Sequence, residues 1–341
     1  MATTTNDPLS QFHRELREAA IWPFWEVSAD VMMSEPCAPD PPHIWRWTEL
    51  LPFIEKAGQQ VPMENAERRA LMLVNPAFDG RSFTTTNLFA GIQILEPGEV
   101  ALPHRHTPSA MRFIVEGGGT TVVNGQDCAM LPGDLILTPN WAWHEHYNDT
   151  DHRAVWLDAL DLPLSQNLGP MFMEHGDTNS FHDDLSAVPD LAFSTGGYMP
   201  DSKAQSTPFS PMFRYPWERT LAALKETPLA SDGARRVRYT NPVDGGPVIR
   251  SMDCYAWELA EGQATQQTRS TSNVIITVVE GEGCSIIGNE TIGWSEHDVF
   301  TVPHWNWTTH VSTSETARLF LYTDREVLRF FDLLRDEFAD C

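Results

Sequence analysis

The chain has 341 residues, of which 41% are apolar, enough for about two domains with a substantial core. Its 47 acidic residues outnumber its 23 basic ones, and the formal net charge is −24. Because most of such a surface repels phosphate polyanions, this balance argues against nucleic acid as a partner.

The first residues lack the basic and apolar regions of a secretory signal, and no stretch approaches the roughly 18 apolar residues of a membrane span. The five cysteines are scattered and never occur in CxxC spacing, so they suggest neither a disulfide framework nor a cysteine metal site. We therefore expect a cytoplasmic protein with reduced thiols and no membrane partner.

Helical spacing of apolar residues occurs in residues 8–20 and 47–57, which predicts a helical N-terminal arm over residues 1–75. Short apolar runs broken by Gly, Pro and Asn then predict antiparallel β-structure over residues 76–165. Residues 166–235 have the composition of a connecting segment with one helix at 216–226. A second strand-rich region, 236–341, is expected to end in an amphipathic helix over 325–339.

The two strand-rich regions repeat each other at a constant offset of 164 residues. Matching pairs include Gly98 and Gly262, Arg105 and Arg269, Glu116 and Glu280, Asp134 and Asp298, Pro139 and Pro303, and His146 and His310. Internal self-similarity of this kind predicts two copies of one β module. The expected fold class is therefore all-β dominated, with two barrel or jelly-roll modules, an N-terminal helical arm and a C-terminal helix.

In the first copy, Gly98 is followed by five residues and then by an HxH motif, His104 and His106. Because side chains alternate across a strand, both imidazoles can reach one metal ion. An HxH motif alone is weak evidence, since two surface histidines would give the same pattern.

A second motif strengthens the metal interpretation. Gly133 is followed by five residues, Pro139, and then His144, with Trp141 in a slot that usually holds glycine. Together the two motifs resemble the cupin signature, which implies His144 as the third ligand. Three imidazoles suit Fe, Mn, Zn, Cu or Ni and do not by themselves identify the metal.

Carboxylate ligands are not expected at this site. Cupins often carry a glutamate shortly after the second histidine, but that slot here, position 111, is Met111. Glu145 is a rival ligand that strand alternation argues against. In the second copy, the positions of the three ligands hold Thr268, Ser270 and Thr308, so we expect that copy to be metal-free.

Over nearly its whole length the sequence resembles the family of gentisate and salicylate 1,2-dioxygenases, which are bicupin ring-cleaving enzymes. The resemblance is carried by segments such as LFAGIQILEPGEVALPHRHTPSAMRFIVEG and LPGDLILTPNWAWHEHYN. It implies one Fe(II) per chain on the three histidines, chelated by the carboxylate and phenolic oxygen of a hydroxy acid, and a homo-oligomer such as a tetramer. It also implies cleavage of the C1–C2 ring bond, which would convert gentisate to maleylpyruvate.

The resemblance further implies a set of substrate-binding and catalytic residues. These are Arg112 and His146 as catalytic residues, with Gln93, Asp158, Phe89 and an arginine of the Arg68–Arg69 pair lining the pocket. A buried guanidinium in the apolar run MRFIV needs an anionic partner, which for Arg112 is either the substrate or a structural acid.

Several alternatives remain open at these positions. His146 is either a hydrogen-bonding partner of the substrate or a satisfied structural histidine, and Asp158 either contacts substrate or pairs with Arg68 or Arg69. The tryptophans Trp141 and Trp143 are expected to pack rather than to stack on substrate, and His175 is expected at the surface.

Phe89 stands where several family members carry tryptophan, which removes an N–H donor and changes the ring volume. Gentisate is therefore the leading substrate, with salicylate, a 5-substituted salicylate or 1-hydroxy-2-naphthoate as alternatives. A non-redox bicupin that binds a small carboxylate is the alternative from another functional class.

Overall fold

The computed structural model describes residues 8–177, 193 and 208–339. The chain divides into two compact units, residues 1–37 and 38–341. The first unit contains helices α1 (Pro8–Glu18) and α2 (Phe24–Val31), and Arg17 of α1 forms an ion pair of 3.0 Å with Glu26 of α2. No helix among the described residues is long and apolar enough to cross a bilayer.

The second unit contains five further α-helices and 22 strands within the described residues. The helices are α3 (Trp47–Gln60), α4 (Met63–Ala66), α5 (Leu162–Leu168), α6 (Trp217–Glu226) and α7 (Arg325–Phe330). The strands of the first half are β1 (Ile44–Trp45), β2 (Ala70–Met72), β3 (Phe89–Leu95), β4 (Val100–His106), β5 (Ala110–Glu116), β6 (Thr120–Val123), β7 (Gln126–Ala129), β8 (Leu135–Thr138), β9 (His144–Tyr147), β10 (Ala154–Leu160) and β11 (Met173–His175). Those of the second half are β12 (Arg214–Tyr215), β13 (Ala234–Arg238), β14 (Asp253–Ala260), β15 (Thr268–Ser270), β16 (Val274–Glu280), β17 (Gly283–Ile287), β18 (Glu290–Trp294), β19 (Val299–Val302), β20 (Thr308–Ser312), β21 (Thr316–Thr323) and β22 (Asp336–Phe338).

These strands form two modules, each made of a six-stranded and a five-stranded antiparallel sheet. In the first module the orders are β12-β8-β5-β10-β3-β2 and β11-β4-β9-β6-β7. In the second module they are β1-β19-β16-β21-β14-β13 and β18-β17-β20-β15-β22. The predicted all-β-dominated fold with two copies of one module is confirmed.

The modules exchange their first strands. Strand β1 precedes the first module in sequence but pairs with β19 of the second, whereas β12 pairs with β8 of the first. The helix after each exchanged strand is capped by the other module, because Asp298 accepts a hydrogen bond from the backbone N–H of Trp47 and Asp134 accepts one from Trp217. Asp134 and Asp298, which match in the sequence repeat, therefore each form a hydrogen bond to the helix that follows the exchanged strand.

Two segments that the sequence predicts as a helical arm and as a connection also contribute strands to the sheets. The predicted arm, 1–75, contributes β1 and β2 to the sheets, and the predicted connection, 166–235, contributes β11, β12 and the start of β13. Composition could not show this, since strands of two or three residues carry too little pattern to be read.

The expected C-terminal helix over 325–339 is wrong in its second half. Helix α7 ends at Phe330, Asp332 adopts a left-handed φ of 57°, and the chain returns as β22 along β15. Pairing with β15 and an ion pair between Arg269 and Glu337 stabilise the extended form, although the sequence also has a helical apolar stripe.

Two apolar clusters support this arrangement. The larger one includes the outer faces of the two six-stranded sheets, where Phe113 of the first module stacks on Phe320 of the second with 4.4 Å between ring centroids. The smaller one fills part of the second module around Leu319 and Phe300. The other face of the first six-stranded sheet, by contrast, includes the polar residues Gln93, Arg112 and Asp158.

Candidate metal centre and active site

The HxH motif lies at the end of β4 and His144 begins β9, the neighbouring strand of the five-stranded sheet. Pairing between these strands shifts between Ala101 and His104, so β4 has one extra residue there. Such a bulge bends the strand and changes the direction of the following side chains. It brings His104 directly opposite His144.

The three predicted ligand histidines form one cluster, whose nitrogen atoms lie within 4.8 Å of one another. Ring centroids are 4.5 Å apart for His104 and His144, and 4.8 Å apart for His106 and His144. Among the described residues, this is the one group of histidine, cysteine and acidic side chains with the geometry of a metal site.

Two of the three histidines have one ring nitrogen bound to a backbone carbonyl oxygen, which orients the ring for a metal ion. Nδ1 of His106 is 2.6 Å from the carbonyl oxygen of Pro108, and Nδ1 of His144 is 2.9 Å from that of Ala142. Each ring therefore keeps Nε2 for a metal ion, and Nε2 of His144 is buried with no hydrogen-bond partner. The residues present fit an imidazole-bound metal ion.

The electrostatics of the cluster favour neutral imidazoles, the form that binds a metal. Burial lowers the pKa of His106 to about 4, and burial also lowers the pKa values of His104 and His144 well below the usual range. The positive charge of Arg112 acts in the same direction on all three rings.

Neither of the two positions considered for a carboxylate ligand, 145 and 111, contributes to the cluster. Glu145 alternates with the buried His144 and His146 along β9 and is not part of the group. Met111 is fully buried in the larger apolar cluster, on the opposite face of β5 from Arg112.

Arg112 and Asp158 face the histidines from the six-stranded sheet. They are paired residues of β5 and β10, with 3.4 Å between Nε and Oδ1, and Arg112 also donates to the hydroxyl of Thr138. Asp158 accepts a hydrogen bond of 3.0 Å from the indole of Trp156. The ion-pair partner of Asp158 is therefore Arg112, and not Arg68 or Arg69, which was one of the two alternatives left open; substrate contact by Asp158 stays a prediction.

The two neighbouring arginines have different roles. Arg69 is bound by the carboxylate of Glu99 and by the carbonyl oxygen of Val61, whereas the charge of Arg68 acts on His104. Arg68 donates to the carbonyl oxygen of Leu102 in the β4 bulge, close to His104. Burial and the nearby charge of Arg112 lower the pKa of Arg68 to about 10.

Gln93, Gly91 and Phe89 alternate along β3 on the face of Asp158, since Gly91 is the direct partner of Asp158. Gln93 is buried and its Nε2 has no hydrogen-bond partner. The ring of Phe89 lies over Gly91, where an added Cβ would be 2.9 Å from it. These residues share the sheet face that carries Arg112 and Asp158.

His146 lies beside the cluster on β9, with its ring centroid 5.9 Å from that of His144. Its Nδ1 is 2.9 Å from the hydroxyl of Thr121, and its buried Nε2 has no partner. Burial lowers the pKa of His146 well below the usual range, with Arg112 adding to the effect. His146 is therefore a neutral ring with one nitrogen available to a ligand.

Trp141 and Trp143 pack against Arg105, the middle residue of the HxH motif. Their rings lie 4.5 and 4.6 Å from the guanidinium carbon of Arg105, which also pairs with Glu174 of β11. Trp141 adopts a left-handed φ of 61°, which explains why glycine usually fills that slot. The packing role expected for both tryptophans agrees with these contacts.

Sequence reasoning missed two groups near His104. Its Nδ1 is buried without a hydrogen-bond partner, and the carboxylate of Glu67 is 3.8 Å away. Glu67 in turn contacts His175, at 3.1 Å, and His175 pairs with His104 across β11 and β4. The exposed His175 was expected only at the surface, because its sequence surroundings give no sign of this strand pairing.

Comparison with known proteins finds relatives over nearly the whole chain. Residues 91–160 match the cupin domain family. The chain is 36% identical to gentisate 1,2 dioxygenase 1 of Aquipseudomonas alcaligenes over 92% of each chain. It is 34% identical to 5-aminosalicylate 1,2-dioxygenase of a Comamonas species over 96% of this chain and 90% of that protein.

The solved structure of salicylate 1,2-dioxygenase from Pseudoaminobacter salicylatoxidans, as adducts with gentisate, is 33% identical and superimposes with a TM-score of 0.92. The match covers 100% of this chain and 96% of that one. Together with the histidine cluster, this relationship identifies a single iron site in the described part of the chain. The protein is an oxidoreductase and belongs to the gentisate and salicylate 1,2-dioxygenase family of ring-cleaving enzymes.

Proposed function

We propose that this protein uses O2 to cleave the C1–C2 bond of a 2-hydroxybenzoate, between the carbons that bear the carboxyl and hydroxyl groups. Gentisate, which would give maleylpyruvate, is the leading substrate. Both atoms of O2 enter the product, so no other oxidant or reductant is needed. When bound by His104, His106 and His144, Fe(II) supplies the redox chemistry that lets O2 react with a phenolate.

The observation that carries this proposal is the excess of positive charge opposite the histidine cluster. Arg112 is close enough to oppose the charge of Arg68, and Asp158 is the buried acid that acts on both arginines. Glu67 and Glu145, which are less buried, act on Arg68 alone. An aromatic carboxylate would neutralise this excess, and a guanidinium can bind it through two hydrogen bonds.

The side chains around the histidine cluster have separate roles toward the substrate. Asp158 and Thr138 hold Arg112 in place for the substrate carboxylate. His146, neutral and with Nε2 available, is suited to accept a hydrogen bond from the ring hydroxyl of the substrate. Gln93 offers a buried amide to a ring substituent.

A second candidate substrate class is supported by the wall around Phe89. Phenylalanine beside Gly91 leaves a site without an indole donor, which suits salicylate, a 5-substituted salicylate or 1-hydroxy-2-naphthoate. A non-redox carboxylate-binding bicupin has no need to combine the histidine cluster with His146 and the two arginines.

The test is anaerobic reconstitution with Fe(II), followed by a panel of these substrates. We expect stoichiometric O2 uptake and the absorbance of an oxo-dienoic acid with at least one 2-hydroxybenzoate. Failure of every substrate with iron-loaded protein would refute the proposed function.

We also propose a homo-oligomer, such as a tetramer. The first unit exposes large apolar side chains, namely Ile21, Trp22, Phe24, Trp25 and Met32, each more than half accessible. Surfaces of this kind are common at interfaces between subunits. A monodisperse monomer in light scattering at micromolar concentration would contradict this proposal. The cytoplasmic location stays a prediction.

A further inference from the structure

The second module contains a cavity of about 540 Å³, a volume typical of small-molecule sites. Thr268, Ser270 and Thr308, which replace the three metal ligands of the first module, line this cavity. The second module thus keeps a ligand-sized space where the first has its iron site.

The floor of this cavity is apolar where the first module is charged. Ile276 and Leu321 are cross-strand partners, as Arg112 and Asp158 are in the first module. Trp257 occupies the position of Gln93, by the offset of 164. Such a floor fits the face of an aromatic ring and offers nothing to a metal ion.

His310 supplies a buried donor at the cavity wall. Its Nδ1 is 2.7 Å from the hydroxyl of Ser285, which accepts a hydrogen bond from the indole of Trp294. A serine that accepts from the indole and donates to Nδ1 leaves the proton of the neutral ring on Nε2, where it faces a ligand as a donor. Burial, helped by the charge of Arg236, lowers the pKa of His310 to about 4, and the ring is neutral near pH 7.

The unmet hydrogen-bonding capacity around the cavity consists of donors. Nε1 of Trp257 and Nε of Arg325 are buried without partners among the described residues. The carboxylates that line the cavity are already paired, Asp232 with Arg236 and Asp336 with Arg325. A molecule that satisfies this site must therefore bring acceptor atoms.

We propose that the second module binds one small aromatic molecule bearing an acceptor oxygen, such as an aryl carboxamide or carboxylate. The ring lies on Ile276 and Leu321, and the oxygen accepts hydrogen bonds from Trp257 and His310. This site is separate from the ring-cleaving site and does not depend on the substrate assigned to it.

The probe is 4-fluorobenzamide, titrated into the full-length iron-loaded protein and followed by ¹⁹F NMR, with fluorobenzene as the probe that lacks an acceptor. We expect one 4-fluorobenzamide per chain and much weaker binding of fluorobenzene. Trp257→Phe, which keeps the ring but removes the N–H, should weaken 4-fluorobenzamide binding about three- to tenfold. Ile276→Trp, which fills the floor, should abolish it.

Arg112→Leu in the first module is the matched control and should change this affinity less than twofold. Both second-module variants should retain iron and ring-cleaving activity, which shows that they are folded. Saturable binding that is lost in Arg112→Leu but kept in Ile276→Trp would overturn the proposal, and so would the absence of saturable binding.

Discussion

Arg112 and Asp158 lie opposite each other on neighbouring strands of the first module, with 3.4 Å between Nε and Oδ1. Both side chains are buried, and burial raises the pKa of Asp158 while it lowers that of Arg112. The contact is an ion pair without a good hydrogen bond, since Nε has no hydrogen-bond partner. Arg112 therefore has bonding capacity left for a substrate carboxylate.

Arg112→Ala should reduce kcat/KM about 10- to 100-fold, mainly through a higher KM, because a charge-assisted contact to the bound substrate is lost. Steady-state O2 uptake measures both constants, and iron content serves as the control. An unchanged KM would show that the substrate carboxylate binds elsewhere.

Replacing His144 or His146 by alanine should affect iron content and turnover differently. His144→Ala removes a ligand and should abolish most iron binding, whereas His146→Ala should keep iron and lose turnover. Iron analysis beside single-turnover rates separates the two. If His146→Ala lost iron while His144→Ala kept it, the third ligand would be misassigned.

Glu67→Gln should weaken Fe(II) binding about tenfold, because its carboxylate lies 3.8 Å from the otherwise unpartnered Nδ1 of His104 and favours the ring orientation and basicity that a metal ion needs. An anaerobic metal-competition titration measures this change. Glu64→Gln, on the exposed surface of α4, is the matched control and should have no effect. Equal affinities for the two variants would remove Glu67 from the metal site.

Gly91→Ala should alter substrate preference. The new Cβ would be 2.9 Å from the ring of Phe89, so that ring must move. We expect kcat/KM to fall more for 1-hydroxy-2-naphthoate than for gentisate, by roughly tenfold, since one steric change in a pocket is worth about 1–3 kcal/mol. The ratio of the two constants is the readout, and an unchanged ratio would place Phe89 outside the substrate wall.

Asp40→Asn should make the free energy of unfolding less dependent on pH. Both carboxyl oxygens of Asp40 are buried without partners, and burial raises its pKa to about 6. Between pH 4 and 6 the folded chain therefore holds a proton that the unfolded chain has lost, and stability falls as the pH rises. Denaturant unfolding should show the variant more stable than the parent at pH 7 and the difference shrinking toward pH 4. A constant difference would exclude this linkage.

The repeat, the ligand histidines and the fold class could be predicted from the sequence because they depend on local patterns. The offset of 164 residues is independent of structure, and alternation along a strand suffices to place His104 and His106 on one face. The metal-free character expected for the second module likewise follows from Thr268, Ser270 and Thr308, which lack imidazoles.

Other features depended on which distant segments meet. Arg68 and Arg69 are adjacent and chemically equal in the sequence, and the position of Glu99 decides which of them faces the site. Asp158 pairs with Arg112 because β5 and β10 are neighbours in the sheet. The exchange of β1 and β12, and the return of the C terminus as β22, likewise come from pairing between strands far apart in the chain. The free energy of such contacts arises only when the partners are brought together, and for that reason local composition and periodicity do not record them.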